Sequence, residues 1–179
     1  MSQDFAKQIR DLLSRNEVIR LAYYPGHTLL HGFPKDRKAI AQSRKNRLKH
    51  SLRVAYISYT FARFLGANRR NTARVGLLHD CGLDPDSAEH HIIQLVKHSS
   101  RGAKIARRLG EPREISEAIL SHMYPINPRN PPSSRQSFIL WFADKIDSIL
   151  EYVGLSNLLD KRISEFINPK SLVKKQRIS

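Results

Sequence analysis

The chain has 179 residues, of which 40% are hydrophobic and 26% charged, and its formal net charge is +15. These values fit a single globular domain with a hydrophobic core, and they exclude a wholly disordered or fibrous chain. No stretch reaches the roughly 18–20 consecutive apolar residues that a membrane-spanning helix needs. The single cysteine, Cys81, excludes an internal disulfide, so we expect a cytoplasmic protein without a membrane span.

The positive charge is concentrated in two segments. Residues 35–53 contain eight lysines and arginines against one aspartate, a net charge of +7. Residues 161–179 contain six against one glutamate, a net charge of +5. Because such clusters attract polyanions, we expect them to draw in a phosphorylated small molecule or nucleotide and to allow weak nucleic-acid contact.

Helical spacing of apolar residues dominates the first 65 residues. It predicts a helix over residues 4–19, an irregular connection with Pro and Gly over 21–34, and a long helix over 43–65. His50 lies one turn ahead of the apolar stripe of the long helix. That stripe consists of Val54, Ile57, Phe61 and Phe64 or Leu65.

Shorter helices are predicted through the rest of the chain. One begins at residue 71 or 72 and leads into the dipeptide His79-Asp80. The others are predicted at about 88–97, 100–109, 112–123 and 135–153. Residues 124–134 contain four prolines and are predicted to form a loop, whereas Trp141 and the neighbouring phenylalanines are predicted to lie in the core. No alternating run is long enough for a convincing sheet, so the predicted fold class is all-α.

Three of the eight histidines share an apolar setting. His50 and His122 extend the apolar stripes of their helices, and His79 ends a helix that is otherwise apolar. One histidine on an apolar face is more often a core residue than a ligand, but its recurrence on several helices favours a metal site. Asp144 lies within the apolar run FILWFADKIDSIL, where an ionised carboxylate is costly unless it is paired or binds a cation.

The combination of imidazoles and carboxylates indicates the chemistry of such a site. Together these ligands suit divalent ions such as Mn²⁺, Fe²⁺, Zn²⁺, Co²⁺ or Ni²⁺. Ions of this kind polarise a phosphoryl oxygen and lower the pKa of a bound water molecule. The pattern therefore predicts metal-assisted hydrolysis.

Four segments resemble the HD-domain metal-dependent phosphohydrolases: RLKHSLRVAYISYTFARFLG, ARVGLLHDCG, HMYP and FADK. The resemblance covers about residues 43–153 and implies the all-α HD-domain helical bundle. In the family pattern the first metal ligand matches His50, and the paired ligands match His79 and Asp80. The last ligand matches Asp144.

Family members that bind two metal ions have two further histidines, which His98 and His122 resemble. Asp80 is then the carboxylate that bridges the two ions and takes part in catalysis. The resemblance thus implies a divalent transition metal, two ions per chain (Fe, Mn, Co, Ni or Zn). The pattern is similar to bacterial two-metal HD hydrolases, including those that split diadenosine tetraphosphate symmetrically.

Two arginines and a lysine are candidates for contact with the substrate. Arg47 and Arg53 each lie one helical turn from His50, and an arginine at the spacing of Arg47 commonly meets substrate phosphate in the family. The alternative for Arg47 is a solvent-facing helix residue. Leu83 stands where many members have a lysine after the His-Asp pair. Lys145 is a candidate to supply that missing charge in catalysis, and an exposed helix lysine is the alternative.

The predicted organisation is an HD domain over residues 43–153, with an N-terminal helix and irregular connection (1–42) that pack on it, and a C-terminal helix and basic tail (154–179). The predicted function is a metal-dependent phosphohydrolase, namely a phosphomonoesterase, a phosphodiesterase or a dinucleoside polyphosphate hydrolase, acting on a nucleotide-like substrate. Two alternatives remain open. One is an HD-fold di-iron oxygenase with nearly the same ligands, and the other is a basic nucleic-acid-binding module with a structural metal site.

Overall fold

The structure, a computed structural model, describes residues 2–13, 37–83 and 91–167. Regular structure within these ranges is entirely helical, which confirms the predicted all-α class. The helices are α1 (Ser2–Leu13), α2 (Arg37–Phe64), α3 (Arg69–Leu78), α4 (His91–Arg108), α5 (Arg113–Ser121), α6 (Arg135–Tyr152) and α7 (Ser156–Ser164). Within the described ranges, none combines the length and the apolar character that a membrane crossing requires.

The long helix α2 is central to the fold, since it packs against α3, α6 and α7. It begins at residue 37 rather than at the predicted residue 43. Its first six residues, RKAIAQ, contain one large apolar side chain, and hydrophobic periodicity detects a helix only where an apolar stripe is present. Gly76 lets α3 approach α2 closely, because a Cβ atom at Gly76 would lie only 2.6 Å from the Cα of Ala55. This backbone contact sets the distance between the helix of His50 and the helix that ends at His79.

The helices predicted over 88–97 and 100–109 are one continuous helix, α4, so that prediction was wrong. Ser99 lies at the predicted break and is fully buried. Tertiary packing therefore holds the chain helical at a position where sequence propensity alone is neutral. α4 packs on α5, and α5 in turn packs on α6.

The hydrophobic core contains side chains from most of the helices. Its largest fully buried apolar members are Phe5, Ile9, Leu12, Leu13, Leu52, Leu77, Leu78, Ile115, Ile119 and Ile139. Val54 and Ile57 of the predicted α2 stripe are buried, but Phe64 and Leu65 are 76% and 43% exposed. The prediction for the end of that stripe was wrong, because the chain turns through Gly66 into α3 and leaves the last turn of α2 facing solvent.

The N-terminal helix α1 packs against α3 and also contacts α2 through aromatic rings. The Phe5 ring centroid lies 5.4 Å from that of Tyr56 and 5.3 Å from that of Tyr59. The Tyr59 hydroxyl donates a hydrogen bond of 2.9 Å to Asp4. The predicted connection over 21–34, together with His27 and His31, lies outside the described residues.

One face of α6 carries exposed aromatic side chains. Phe138 and Phe142 are 49% and 37% exposed, so the prediction that these phenylalanines lie in the core was wrong. The buried face of α6 is the one that carries Asp144 and the aliphatic residues next to it, and the phenylalanines project from the other side. An apolar run shows that a helix is hydrophobic but not which of its faces is covered.

Candidate metal centre

The six predicted metal ligands converge from five helices. They are His50 of α2, His79 at the C-cap of α3, Asp80 directly after it, His98 of α4, His122 at the C-cap of α5 and Asp144 of α6. His79, His98, His122 and Asp144 are buried, whereas His50 and Asp80 are partly exposed. Solvent therefore reaches the cluster beside His50 and Asp80.

One group of donor atoms lies between α2, α3 and α6. The Nε2 atoms of His50 and His79 are 3.3 Å apart. Oδ1 of Asp144 lies 3.4 Å from Nε2 of His50 and 3.6 Å from Nε2 of His79. Oδ1 of Asp80 is 3.5 Å from Nε2 of His79, which adds a second carboxylate to the group.

A second group lies between the end of α3, α4 and α5. The Nε2 atoms of His98 and His122 are 2.8 Å apart. Oδ1 of Asp80 lies 3.5 Å from Nε2 of His98 and 3.8 Å from Nε2 of His122. Asp80 thus belongs to both groups, as a bridging carboxylate must.

Hydrogen bonds at Nδ1 orient the imidazoles of His50, His79 and His122. Because a carbonyl oxygen can only accept, His79 Nδ1 donates to the Gly76 carbonyl at 2.8 Å and His122 Nδ1 donates to the Ile119 carbonyl at 2.6 Å. Both histidines cap helices, and the carbonyl that each one uses lies three residues back, in the last turn of its own helix. His50 Nδ1 lies 2.7 Å from the Asp147 carboxylate. With Nδ1 occupied in this way, Nε2 is the atom left to bind a metal ion.

The spacing of the donor atoms fits a divalent transition metal. Two nitrogen ligands that are each about 2.0–2.1 Å from one ion lie about 3 Å from each other. The two Nε2 pairs have that separation. The group of His50, His79 and Asp80 and the group of Asp80, His98 and His122 could therefore each hold an ion.

The two carboxyl groups are held in the ionised form. Burial raises the pKa of Asp80, but electrostatic interactions with His79 and Arg47 outweigh burial and hold that pKa well below its usual range. Burial likewise raises the pKa of Asp144, and hydrogen bonds with His50 and His79 lower it well below its usual range. Both side chains thus present the anionic oxygens that a cation needs.

The histidines at the two ends of the cluster differ in their protonation. Burial, together with electrostatic interactions with His98 and His79, lowers the pKa of His122 to about 3, so its imidazole is neutral. Burial also lowers the pKa of His50, but hydrogen bonds with Asp144 and Asp147 outweigh burial and raise the pKa to about 10. Without a bound cation, the His50 imidazole is therefore protonated on both nitrogens and positively charged at neutral pH. A cation that binds the ring replaces one of these protons.

Arg47 lies against the shared carboxylate. Its guanidinium is buried, its Nη2 donates to the backbone carbonyl of Asp80, and the same nitrogen lies 4.0 Å from Oδ2 of Asp80. Its Nε and Nη1 atoms have no hydrogen-bond partner among the residues that the structure describes. Two buried donors of a charged group are therefore available next to the cluster.

Arg53 has a different environment from Arg47 although both lie in α2. Its side chain is 2% exposed and is surrounded by three carboxylates, those of Asp147 at 2.7 Å, Asp160 at 3.1 Å and Glu151 at 3.4 Å. These ion pairs argue against the predicted phosphate contact of Arg53 and favour a structural part for it.

Lys145 lies at the edge of the site. Its Nζ is 2.6 Å from Oδ2 of Asp144, and its side chain is 40% exposed. The ammonium group thus contacts a predicted metal ligand and faces solvent at the same time.

Sequence reasoning missed two aspartates beside the site. Asp147 contacts His50 and Arg53, and Asp160 of α7 contacts Arg53. A signal for Asp147 was present, because it lies in the same apolar run as Asp144 and an unpaired carboxylate there is equally costly. No comparable signal marks Asp160, which lies in a polar helix.

Two glycines bring α4 against the residues that follow Asp80. A Cβ atom at Gly82 would overlap the carbonyl oxygen of His98 and the amide nitrogen of Gly102, and one at Gly102 would lie 3.1 Å from the carbonyl oxygen of His79. Cys81, which precedes Gly82, is buried, and burial raises the pKa of its thiol to about 12.

Residues 47–149 match the family model of the HD domain, and this range is more than half of the chain. The chain belongs to the HD domain family. The resemblance predicted over residues 43–153 is thereby confirmed, and so is the helical HD fold. The residues beyond position 149, including α7, lie outside the matched range.

Several proteins named Ribonuclease Y are similar to this HD domain chain. The one from Chloroflexus aurantiacus is 35% identical over 141 residues, which are 75% of this chain and 25% of the relative. The one from Thermus thermophilus is 39% identical over 83 residues, 46% of this chain and 14% of the relative. The one from Thermosipho melanesiensis is 41% identical over 78 residues, which are 44% of this chain and 14% of the relative. The chain therefore spans a quarter or less of the length of these relatives.

Proposed function

We propose that this HD domain is a metal-dependent phosphohydrolase that hydrolyses a phosphoester or phosphoanhydride bond of a nucleotide-like substrate. The observation that carries the proposal is the position of Asp80, whose carboxylate is shared by two histidine groups at ligand spacing. A carboxylate shared in this way is the arrangement by which two ions about 3.5–4 Å apart act on one phosphoryl group.

In this proposal each group of side chains holds one divalent ion. His50, His79 and Asp144 hold the first, and His98 and His122 hold the second, with Asp80 common to both. Divalent ions supply Lewis-acid polarisation of the phosphoryl group and a nucleophile derived from water at neutral pH. The neutral state of His122 and the ionised states of Asp80 and Asp144 support these assignments, because each side chain is in its ligand form.

Arg47 is the proposed phosphate-binding residue. A buried guanidinium with unpaired donors is costly, and the oxygens of a phosphoryl group satisfy such donors in a bidentate manner. Its Nε and Nη1 atoms are the donors available for this contact. Arg47 also holds the Asp80 carbonyl, so substrate binding and the position of the shared ligand depend on the same side chain.

Lys145 is the proposed source of the charge that Leu83 does not provide. Its ammonium group contacts Asp144 and is accessible from solvent. A leaving group departs toward solvent, so the ammonium group lies on its path. We propose that it stabilises negative charge that develops on the substrate, while its contact with Asp144 holds that ligand in place.

The relatives make an RNA phosphodiester the first substrate to test. They carry the name Ribonuclease Y and share 35–41% identity with this chain over the aligned residues. The positive net charge of +15 favours a polyanionic substrate of this kind. Nucleotides and dinucleoside polyphosphates present the same phosphoryl chemistry and form the second group of substrates.

The test is a substrate screen on protein from which metal has been removed by a chelator. Labelled single-stranded RNA, nucleotides, dinucleoside polyphosphates, cyclic nucleotides and an aryl phosphate are incubated with Mn²⁺, Co²⁺, Ni²⁺, Zn²⁺ or anaerobic Fe²⁺. We expect hydrolysis of at least one substrate that requires the metal and is absent in Asp144→Asn. The matched control, Asp11→Asn on the exposed side of α1, should retain full activity.

Two results would contradict the proposal. Metal-dependent hydrolysis that survives unchanged in Asp144→Asn would show that the reaction occurs elsewhere. Iron dependence that is sensitive to air, without hydrolysis of any phosphoester, would favour the di-iron oxygenase instead.

A further inference from the structure

We infer that Asp147 is a positioning residue for His50, and that Arg53 and Asp160 anchor Asp147, so that α7 supports the metal centre. The inference rests on the proposed metal site. It concerns residues that the predicted ligand set does not include, and one of them, Asp160, lies beyond the range that the family model matches.

The first step is the contact between Asp147 and His50. Oδ2 of Asp147 lies 2.7 Å from Nδ1 of His50, the nitrogen on the opposite side of the ring from the cluster. An ionised carboxylate only accepts, so Nδ1 carries the proton and Nε2 is directed at His79 and Asp144. A carboxylate behind a ligating histidine fixes its tautomer and ring orientation and raises its basicity as a ligand.

The second step is the contact between Asp147 and Arg53. Nε of Arg53 donates to Oδ1 of Asp147 at 2.7 Å, and the Asp147 side chain is fully buried. One oxygen of the carboxylate is thus held by Arg53 while the other holds His50. Because both charges are buried, each depends on the other for its electrostatic compensation.

The third step links this pair to α7. Nη1 of Arg53 donates to Oδ1 of Asp160 at 3.1 Å, and Oδ2 of Asp160 accepts a hydrogen bond of 2.8 Å from Lys49. Asp160 is 107 residues from Arg53 in the chain, so only the packing of α7 on α2 brings them together. The last helix therefore contributes to the orientation of His50 through two intermediate side chains.

Asp147 is better placed to orient His50 than to bind an ion itself. His50, Asp147 and Glu151 have donor atoms close enough for a metal site. However, the Arg53 guanidinium lies against both Asp147 and Glu151, at 2.7 Å and 3.4 Å, and occupies the place that a cation would take. His50 also directs its Nε2, and not its Nδ1, at the other ligands.

The experiment is a titration of the metal-free chain, residues 1–179, with Co²⁺. Visible absorption follows the titration, because its bands report the ligands and geometry of the bound ion. The variants are Asp147→Asn and Asp160→Asn, and circular dichroism checks that each is folded. The matched control is Glu165→Gln, which removes one negative charge just after α7 from an exposed pair with Arg162.

We expect Asp147→Asn to weaken the binding of one Co²⁺ ion by about 10-fold or more, the loss typical of such outer partners, and to alter its absorption bands. The ion held by His98 and His122 should bind as in the wild type. Asp160→Asn should act in the same direction with a smaller loss, and Glu165→Gln should bind Co²⁺ as the wild type does. Neither readout depends on the identity of the substrate.

A folded Asp147→Asn that binds Co²⁺ with wild-type affinity and spectrum would overturn the positioning role while leaving the metal centre intact. If Asp147→Asn does not fold, Arg53→Lys and Asp160→Asn decide the question, and wild-type Co²⁺ binding in both would overturn it. A wild-type chain that binds no Co²⁺ would overturn the metal centre and this inference together.

Discussion

The helix-end histidines, His79 and His122, are oriented in a different way from His50, which lies within a helix. His79 and His122 each donate Nδ1 to a carbonyl three residues back in their own helix. His50 lies in the middle of α2 and donates to Asp147, which is 97 residues away in the chain. The first arrangement depends on local helix geometry, whereas the second requires α2, α6 and α7 to be packed correctly. Substitutions should therefore disturb the two regions differently.

The largest effect is expected where the two regions share a ligand. Asp80→Asn keeps the shape of the side chain but removes the anionic charge that both groups use. We expect loss of bound metal from both groups and a fall in hydrolysis of about a thousandfold or more, since metal-ion catalysis contributes several kcal/mol. Metal analysis and initial rates measure the two effects. Full metal content in Asp80→Asn would contradict the proposal that both groups need this carboxylate to bind metal.

Removing a helix-end histidine should affect one group only. In His122→Gln the ion proposed for Asp80 and His98 would lose a ligand, while the contact between His50 and Asp147 lies between other helices and is unchanged. We expect one bound metal ion per chain instead of two, and a fall in activity of about a hundredfold, which corresponds to roughly 2.7 kcal/mol. Metal analysis after gel filtration tests this. Loss of both ions would mean that the two groups are not independent.

Crowding the contact between α4 and the residues after Asp80 should act through packing. Gly82→Ala forces its Cβ into the His98 carbonyl, so α4 has to move away. We expect unfolding to become easier by about 1–3 kcal/mol, as for other overpacked sites, and Co²⁺ binding by His98 to weaken. Urea denaturation and Co²⁺ titration measure these changes.

The control for this substitution is Gly154→Ala. Gly154 has a φ of 75°, and a Cβ atom added there would have no neighbouring atom within 4 Å, so alanine causes backbone strain without a clash. That strain costs about 1–2 kcal/mol, but Co²⁺ binding should stay unchanged. Equal Co²⁺ binding in Gly82→Ala and the wild type would contradict the packing argument.

The smallest effect is expected at the solvent-exposed end of the network behind His50. Lys49 pairs with Asp160 at 2.8 Å, but its side chain is 46% exposed. Exposed pairs of this kind contribute about 1 kcal/mol or less, so Lys49→Gln should change the free energy of unfolding by no more than that and leave Co²⁺ binding unaltered. A loss of Co²⁺ affinity as large as that expected for Asp147→Asn would show that the pair of Lys49 and Asp160 supports metal binding despite its exposure to solvent.

Much of the fold was predictable because helices carry local signals. Apolar spacing predicted α5 and α6 to within two residues of their observed ends, and the proline-rich segment 124–134 was predicted as a loop. The errors occurred where packing overrides local preference. Ser99 remains helical because it is buried, and Phe138 is exposed because the covered face of α6 is a different one.

The candidate site likewise combines residues that local sequence signals mark with residues that only packing brings together. The order of histidines and aspartates along the chain was enough to propose six ligands, because each is marked by an apolar surrounding or by the family pattern. Of the partners behind the ligands, Asp147 has a signal in the sequence, because it lies in the same apolar run as Asp144. Asp160 was not predictable, because it is an ordinary polar residue in the sequence. Only its position next to Arg53 gives it a part in the site.

The sequence by itself determined the helical class, the candidate ligands and the excess of positive charge, since these follow from local spacing and composition. The tertiary structure decided how that charge is used. Arg47 and Arg53 both lie one turn from His50, and no local property separates them. Asp147 and Asp160, from helices about 100 residues further along, neutralise Arg53, whereas two donors of Arg47 beside Asp80 have no hydrogen-bond partner in the part of the chain that the structure describes. Charge compensation between distant segments depends on packing, and that is why only the folded chain shows it.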